Sequence, residues 1–239
     1  MTLSIIVPVY NENKNIIKTI NNLHKLKKNI KKIEIIFIDD FSTDDTLNIL
    51  NQSSKKKLYV KFFKNKKKGL GSAIEIGIKK SRYQFITIFM CDSSDSIMDL
   101  IKYYKIMSQN KYDAVLGSRF LKKSKIKNYP LFKLVLNRLF NNFVKFIFFS
   151  DYNDFTNAFK IYKKDVLRDL LPIVSENFNV FLEIPLKIIS RQYIYKIIPI
   201  NWKNRKIGRS NFRIKELSSM YIFTLFYCMI EKILLNKKK

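Results

Sequence analysis

Carboxylates close three apolar runs in the first half of this chain: Ile5-Ile6-Val7-Pro8-Val9-Tyr10-Asn11-Glu12, Phe37-Ile38-Asp39-Asp40-Phe41-Ser42-Thr43-Asp44 and Phe89-Met90-Cys91-Asp92-Ser93-Ser94-Asp95. A run of Ile, Val and Phe reads as a strand buried on both faces of a parallel sheet. Ligands of an open parallel sheet sit just past the carboxyl ends of its strands. Three such strands would deliver acids to one edge, a setting that suits a divalent metal and a diphosphate.

The rest of the composition narrows the chemistry. The only histidine is His24, in a basic segment that reads as a helix, so a Ser-His-Asp triad or a His-ligated zinc would have to rest on it alone. Cys91 and Cys228 are too few for a disulfide framework, and no C-x-x-C occurs, which places the chain in the cytoplasm as an expectation. Chemistry must therefore run on carboxylates, arginine, lysine and a hard metal. The formal charge is +27, with lysine runs at 25–32, 55–57, 64–68 and 237–239. Such an excess attracts nucleotides, lipid phosphates, anionic membranes or nucleic acid. The plainer alternative for any one run is a solvated surface. No zinc-finger spacing or RNA-binding aromatic string is present, so no nucleic-acid partner is expected.

The elements that must position these acids alternate. Residues 3–9 read as a strand, and 13–25 as a helix with apolar Ile16, Ile17, Ile20 and Leu23. Strands are predicted at 33–38, 58–63, 84–90 and 114–117. Ser42-Thr43-Asp44-Asp45-Thr46 offers N-cap chemistry for a helix reaching 52. Lys68-Gly69-Leu70-Gly71-Ser72-Ala73 is a glycine turn opening a helix to 80, and 96–108 is a further helix. The alternation implies α/β, with a mainly parallel central sheet and helices on both faces. A length of 239 residues fits one domain, or one with an added subdomain.

Beyond Arg119 the texture changes. Residues 131–149 form an amphipathic pattern whose polar stripe is Lys133, Asn137, Asn141 and Lys145, widened by Arg138 and Asn142. Such a helix packs into a core or lies in a membrane interface. The apolar run 220–230 is interrupted by Thr224 and stopped by Glu231-Lys232, short of the roughly 20 residues a span needs, and predicts peripheral attachment. The first apolar run reads as a strand followed by Asn-Glu-Asn, so no signal peptide is expected.

Taken in order, the Pro8-Val9-Tyr10-Asn11-Glu12 start, the Asp-Asp-x-Ser-x-Asp turn, the glycine helix opening, the Asp-bearing fourth strand and Gly117-Ser118-Arg119 resemble family 2 glycosyltransferases. Asp154-Phe155-Thr156-Asn157-Ala158-Phe159-Lys160 is similar to the D-x-T-x-x-F-[KR] segment of dolichyl- or polyprenyl-phosphate sugar transferases, and Arg205-Lys206-Ile207-Gly208-Arg209-Ser210 to their R-x-x-G-x-S loop. The resemblance runs from residue 3 to about 215. It implies the nucleotide-diphospho-sugar transferase (GT-A type) fold. It further implies a donor-binding half at 1–119, an acceptor-binding half at 120–212 and a membrane-peripheral helix with a basic tail at 213–239. Three positions depart from the family pattern: Met90 holds the first position of the usual D-x-D, Phe41 stands where glycine is common, and Asn211 where lysine is common.

The resemblance also assigns roles. Pro8, Tyr10 and Glu12 would wall the base and ribose, Asp39 would contact the base, and Asp40 would support the turn, where a bond to Ser42 is the local alternative. Gly69, Gly71 and Ala73 lie at a helix start that favours anions, or in an ordinary loop. Asp92 is the expected ligand of Mg²⁺ or Mn²⁺, with Asp95 as a second ligand or as the N-cap of the following helix. Arg119 and Arg205 are candidate phosphate clamps, backed by Lys206 and Arg209, and Asp154, Thr156 and Ser210 fall in the acceptor motifs. The implied reaction moves a hexose from GDP-mannose or UDP-glucose to a polyprenyl or dolichyl phosphate on the cytoplasmic face of an anionic membrane. A phosphate acceptor needs no general base. A hydroxyl acceptor needs one, for which Asp154 or Glu183 is the place to look.

Overall fold

The computed structural model describes residues 2–204 and 214–236. Seven strands form the central sheet: β1 (Thr2–Val9), β2 (Lys32–Asp39), β3 (Val60–Lys64), β4 (Phe85–Ile88), β5 (Ala114–Ser118), β7 (Lys160–Lys163) and β8 (Tyr195–Pro199). Their order is β3-β2-β1-β4-β7-β5-β8. All neighbours pair parallel except β7, which runs antiparallel to both β4 and β5. β6 (Lys125–Lys127) and β9 (Asn201–Lys203) make a separate parallel pair.

The sheet is covered on both faces, which is why its central strands are largely apolar without alternation. Leu3, Ile5 and Val7 of β1 join one core layer, and Ile6 joins the other. The first layer is closed by α1 (Ile16–His24), α2 (Thr46–Lys56) and α4 (Ile97–Met107). The second is closed by α3 (Leu70–Lys80), α5 (Leu131–Phe148), α6 (Lys164–Asp169), α7 (Val180–Ser190) and α8 (Ile214–Asn236).

Register decides what meets at the carboxyl edge. The last β1–β2 pair is Val9 with Asp39, so the turns carrying Tyr10 and Asp40 leave the sheet side by side. Ile88, the end of β4, pairs with Ile6 and leads into the third acidic turn. Because β7 runs backwards, its first residue, Lys160, lies at this same edge, paired with Ile88 and Leu116.

Several expected boundaries shift. The helix expected from 13 begins at Ile16, because the Glu12 carbonyl first accepts from the Asn15 and Ile16 amides in a turn. The strand expected from 58 begins at Val60, since Leu58 is exposed. The helix expected over 131–149 ends at Phe148, with Phe149 left-handed at φ 50° as its C-cap. The run 220–230 is the middle of the longer α8.

α5 buries only Asn141, Val144 and Phe148. It touches α8 through side chains, with the Phe140 and Tyr221 rings 5.6 Å apart and the Lys232 ammonium donating to the Phe148 carbonyl at 2.7 Å. Their outer faces expose large apolar side chains, among them Phe132, Phe143 and Phe146 on α5 and Phe223, Phe226 and Ile230 on α8. Among the described residues, no helix is long and apolar enough to cross a membrane.

Candidate active site

Two strand-end turns are tied into one rim. The Asn11 amide donates to Ser42 Oγ at 2.9 Å, and the Thr43 amide to Asn11 Oδ1 at 2.8 Å. The Glu12 amide donates to Thr46 Oγ1 at 3.0 Å, while its carboxylate accepts from Asn15 Nδ2 at 2.6 Å. Pro8 is buried inside β1, and Tyr10 is half-buried with the Lys68 ammonium 5.4 Å from its ring centre. Asp39 is buried at the end of β2. One of its oxygens accepts from the Ser42 amide at 3.3 Å, and the other, Oδ1, is buried without a partner among the described residues. An unpaired buried acceptor is costly, and an incoming donor would satisfy it.

Asp40 does not bond to Ser42. Its Oδ1 accepts from Asn65 Nδ2 and from the Gly69 amide, both at 2.8 Å, and so pins the glycine turn to the end of β2. That turn is not a free amide cradle, a correction to the anion-site expectation for Gly69, Gly71 and Ala73. The Gly69 amide is taken by Asp40, that of Gly71 by the Glu176 carbonyl at 3.0 Å, and that of Ala73 by the Gly69 carbonyl at 3.1 Å. The glycines instead permit close packing. Gly69 has φ 136°, and a Cβ on Gly71 would fall 1.7 Å from the Ser175 carbonyl oxygen.

The third turn gathers charge. Asp92 Oδ1 accepts from the Ser94 amide at 3.0 Å, and Ser93 is left-handed with φ 60°. The helix cap expected of Asp95 belongs to Ser96, whose side chain accepts from the Asp99 amide. Asp95 is thereby released from capping. Its backbone bridges to Trp202, and its Oδ2 is buried with no hydrogen-bond partner among the described residues. Burial, and then the nearby Asp92 charge, push its carboxyl up to about 8, against the pull of Arg119 and Lys160. Two carboxylates that repel one another, one with an orphaned oxygen, fit a cation. Among the described residues no cluster of three or more His, Cys, Asp or Glu could hold a metal. Asp92 and Asp95 would therefore supply part of a coordination shell, completed by phosphate and water as Mg²⁺ commonly is.

Arg119 is only 7% exposed and is bound by Asp154, whose two oxygens accept from Nε at 2.9 Å and Nη2 at 2.7 Å. Burial alone would lower the guanidinium pKa, but the Asp154 charge holds it above its ordinary value. The candidate clamp is thus a buried, neutralised pair and not an open cation, a correction to its expected role. Asp154, fully buried and engaged, is no general base; nor is Glu183, buried in α7, ion-paired to Lys187 at 2.6 Å and accepting from the Val174 and Ser175 amides. Thr156 sits where Arg119 meets α5. Its hydroxyl is 3.3 Å from Arg119 Nη2, 3.2 Å from Asn137 Oδ1 and 3.3 Å from Asn141 Nδ2. Arg205, Lys206, Arg209, Ser210 and Asn211 lie outside the described residues.

Two residues of the site were not assigned a role from the sequence. Lys160, the last residue of the D-x-T-x-x-F-K string, is fully buried and donates to the Phe155 and Asn157 carbonyls. Burial pushes its ammonium down to about 7, opposed by Asp154 and Asp95. The Trp202 and Tyr129 rings lie 4.9 Å apart, tilted by 46°, and the Arg119 guanidinium lies 5.6 Å from the Trp202 ring centre.

Residues 4–171 match the sequence profile of the family described as Glycosyl transferase family 2. The chain belongs to that family. As a family 2 glycosyltransferase it is 30% identical over 69% of its length to an uncharacterised protein of Methanocaldococcus jannaschii, covering 73% of that protein. It is 23% identical to the polyprenol monophosphomannose synthase of Mycolicibacterium smegmatis, over 86% of this chain and 79% of that one. Its fold superposes on the crystal structure of glucosyl-3-phosphoglycerate synthase from Mycobacterium tuberculosis in complex with Mn²⁺, uridine diphosphate and glucosyl-3-phosphoglycerate. That match has a TM-score of 0.71 at 15% identity and covers 95% of this chain and 80% of the other. The GT-A fold of this transferase family is therefore the fold of this chain, and its sheet edge is the edge at which the acids described above meet.

Proposed function

We propose that this glycosyltransferase moves a hexose, mannose or glucose, from a nucleotide-diphosphate sugar to a polyprenyl phosphate at an anionic, cytoplasmic membrane surface. Residues 1–119 bind the donor, 120–212 bind the acceptor, and 213–239 rest on the membrane. The observation that carries the lipid acceptor is the two-sidedness of α5. Asn137 and Asn141 on one face hold Thr156 beside the Arg119–Asp154 pair, while Phe132, Phe143 and Phe146 stand exposed. A helix with that division lies in a membrane interface, with its apolar face among acyl chains. The similar mycobacterial protein named as a polyprenol monophosphomannose synthase supports the same acceptor class.

The residues present suit a phosphate acceptor. A phosphomonoester is largely ionised near neutral pH, its second pKa being about 6, and needs no base. The two carboxylates considered for a hydroxyl acceptor are both committed to ion pairs. One phosphate oxygen bonds to the anomeric carbon as the bond to the diphosphate breaks, through an oxocarbenium-like state and with inversion. Asp39 accepts from the base with its unpaired oxygen. Asp92 and Asp95 would hold Mg²⁺ or Mn²⁺, which would offset negative charge on the departing diphosphate. Arg119, fixed by Asp154, shapes the acceptor side and holds Thr156 toward it.

The test is incubation with radiolabelled GDP-mannose or UDP-glucose, a short polyprenyl phosphate and Mg²⁺ or Mn²⁺. The expected result is acid-labile label in the organic phase. Label only in water-soluble or acid-stable products contradicts the proposal.

A further inference from the structure

Left-handed, non-glycine residues mark all three turns of the donor rim: Asn11 at φ 54°, Phe41 at φ 63° and Ser93 at φ 60°. Asparagine tolerates this region, whereas a bulky aromatic there is an outlier that persists only when the surroundings fix it. Here the surroundings do. Asp39 takes the Ser42 amide, Asp40 takes Asn65 and Gly69, and Asn11 takes the Thr43 amide. None of these bonds uses the Phe41 side chain, so the turn would close equally well around glycine or asparagine.

Packing does not explain the ring either. Phe41 is 48% exposed and joins neither core layer. Among the described residues it makes no ring–ring or cation–ring contact, unlike Tyr10 across the rim, which has Lys68 over its face. The other left-handed phenylalanine, Phe149, is accounted for as the C-cap of α5. Phe41 has no such local duty. It stands two residues from Asp39, whose Oδ1 is buried and unpaired among the described residues.

We propose that Phe41 is a nucleotide-binding residue, its ring stacking on the base whose N–H groups pair with Asp39. This rests on the donor site proposed above and adds the apolar half of base recognition. Every base has a π-face, so the ring would raise affinity for uracil and guanine alike, leaving the choice between them to edge contacts such as that of Asp39.

The experiment is isothermal titration of the full chain with UDP and with GDP, each with Mg²⁺, alongside thermal unfolding. Phe41→Gly and Phe41→Asn are expected to be at least as stable as the parent, because both accept the left-handed backbone. Both are expected to bind the nucleotide that the parent binds roughly ten-fold more weakly, and Phe41→Trp to restore binding. Asp39→Asn is the control for the donor site. If it weakens binding while Phe41→Gly and Phe41→Asn bind like the parent, the stacking role is refuted and the donor site stands. If the parent binds neither nucleotide, or Asp39→Asn binds as well as the parent, the donor site itself is misplaced and the Phe41 proposal falls with it. Loss of stability in both Phe41 variants would show that the ring serves folding, and would also overturn the proposal.

Discussion

Replacing Asp95 by asparagine removes the charge that the third turn must manage. In the folded, metal-free chain its carboxyl is held up to about 8 by burial and by Asp92, whereas the unfolded chain titrates near 3.8. Between those values the unfolded chain is ionised while the folded chain keeps a proton. The contribution of Asp95 is therefore fully present below about pH 4 and is lost as pH rises through about 8. Each pH unit in that window costs the folded state about 1.4 kcal/mol, so roughly 3 kcal/mol disappears between about pH 5 and pH 7. Asparagine keeps the shape and cannot ionise. Urea unfolding in the presence of a chelator, run on the parent and on Asp95→Asn, measures the difference. The stability of the parent relative to the variant should fall by roughly that amount across the window, and UDP with Mg²⁺ should reverse much of the fall in the parent alone. Parallel pH–stability curves for the two proteins would refute the reasoning, because they would mean that Asp95 is solvated and carries no strained charge.

Two further outcomes follow from the packing. Gly71→Ala forces a methyl group to within 1.7 Å of the Ser175 carbonyl oxygen, so loop and turn must part; a loss on the order of 2–3 kcal/mol is expected in urea unfolding. Phe132 and Phe146 are 71% and 75% exposed, so Phe132→Glu with Phe146→Glu should leave the melting temperature nearly unchanged. The same double variant should lose co-sedimentation with vesicles containing anionic lipid, and retained sedimentation would contradict the membrane role of α5.

The parts of this protein that were legible in the sequence are those where one physical demand dominates. β1 and β2 are buried on both faces and apolar in their middles apart from the hydrogen-bonded pair Ser4 and Glu34, and the polar residues that end them were visible as the rim. The α5 stripe was visible because Asn137 and Asn141 recur at one helical turn. By contrast β7 is four residues long, begins and ends in lysine and gains its place only by running backwards between β4 and β5. α7 is buried nearly all round and carries Pro185 in its interior, a residue that locally argues against a helix.

Site chemistry was hidden wherever a distant segment claimed a group that looked free. Arg119 and Asp154 are 35 positions apart, yet each consumes the other's charge. The Gly71 amide is taken by Glu176, and Asp95 is freed from capping because Ser96 does it. Local sequence announces that donors and acceptors exist. Which of them remain unspent is decided by long-range packing.

The convergence of these acids on a cation and a nucleotide can be read from the single tryptophan of the chain. Trp202 is bridged to the backbone of Asp95, and paramagnetic Mn²⁺ held by Asp92 and Asp95 would lie within quenching range of the indole. The decisive measurement is Trp202 emission during titration with Mn²⁺ in the presence of UDP or GDP. Saturable quenching that Mg²⁺ reverses, and that Asp92→Asn abolishes, is the predicted result. Emission indifferent to Mn²⁺, or quenched equally in Asp92→Asn, would contradict the placement of metal and donor at this rim.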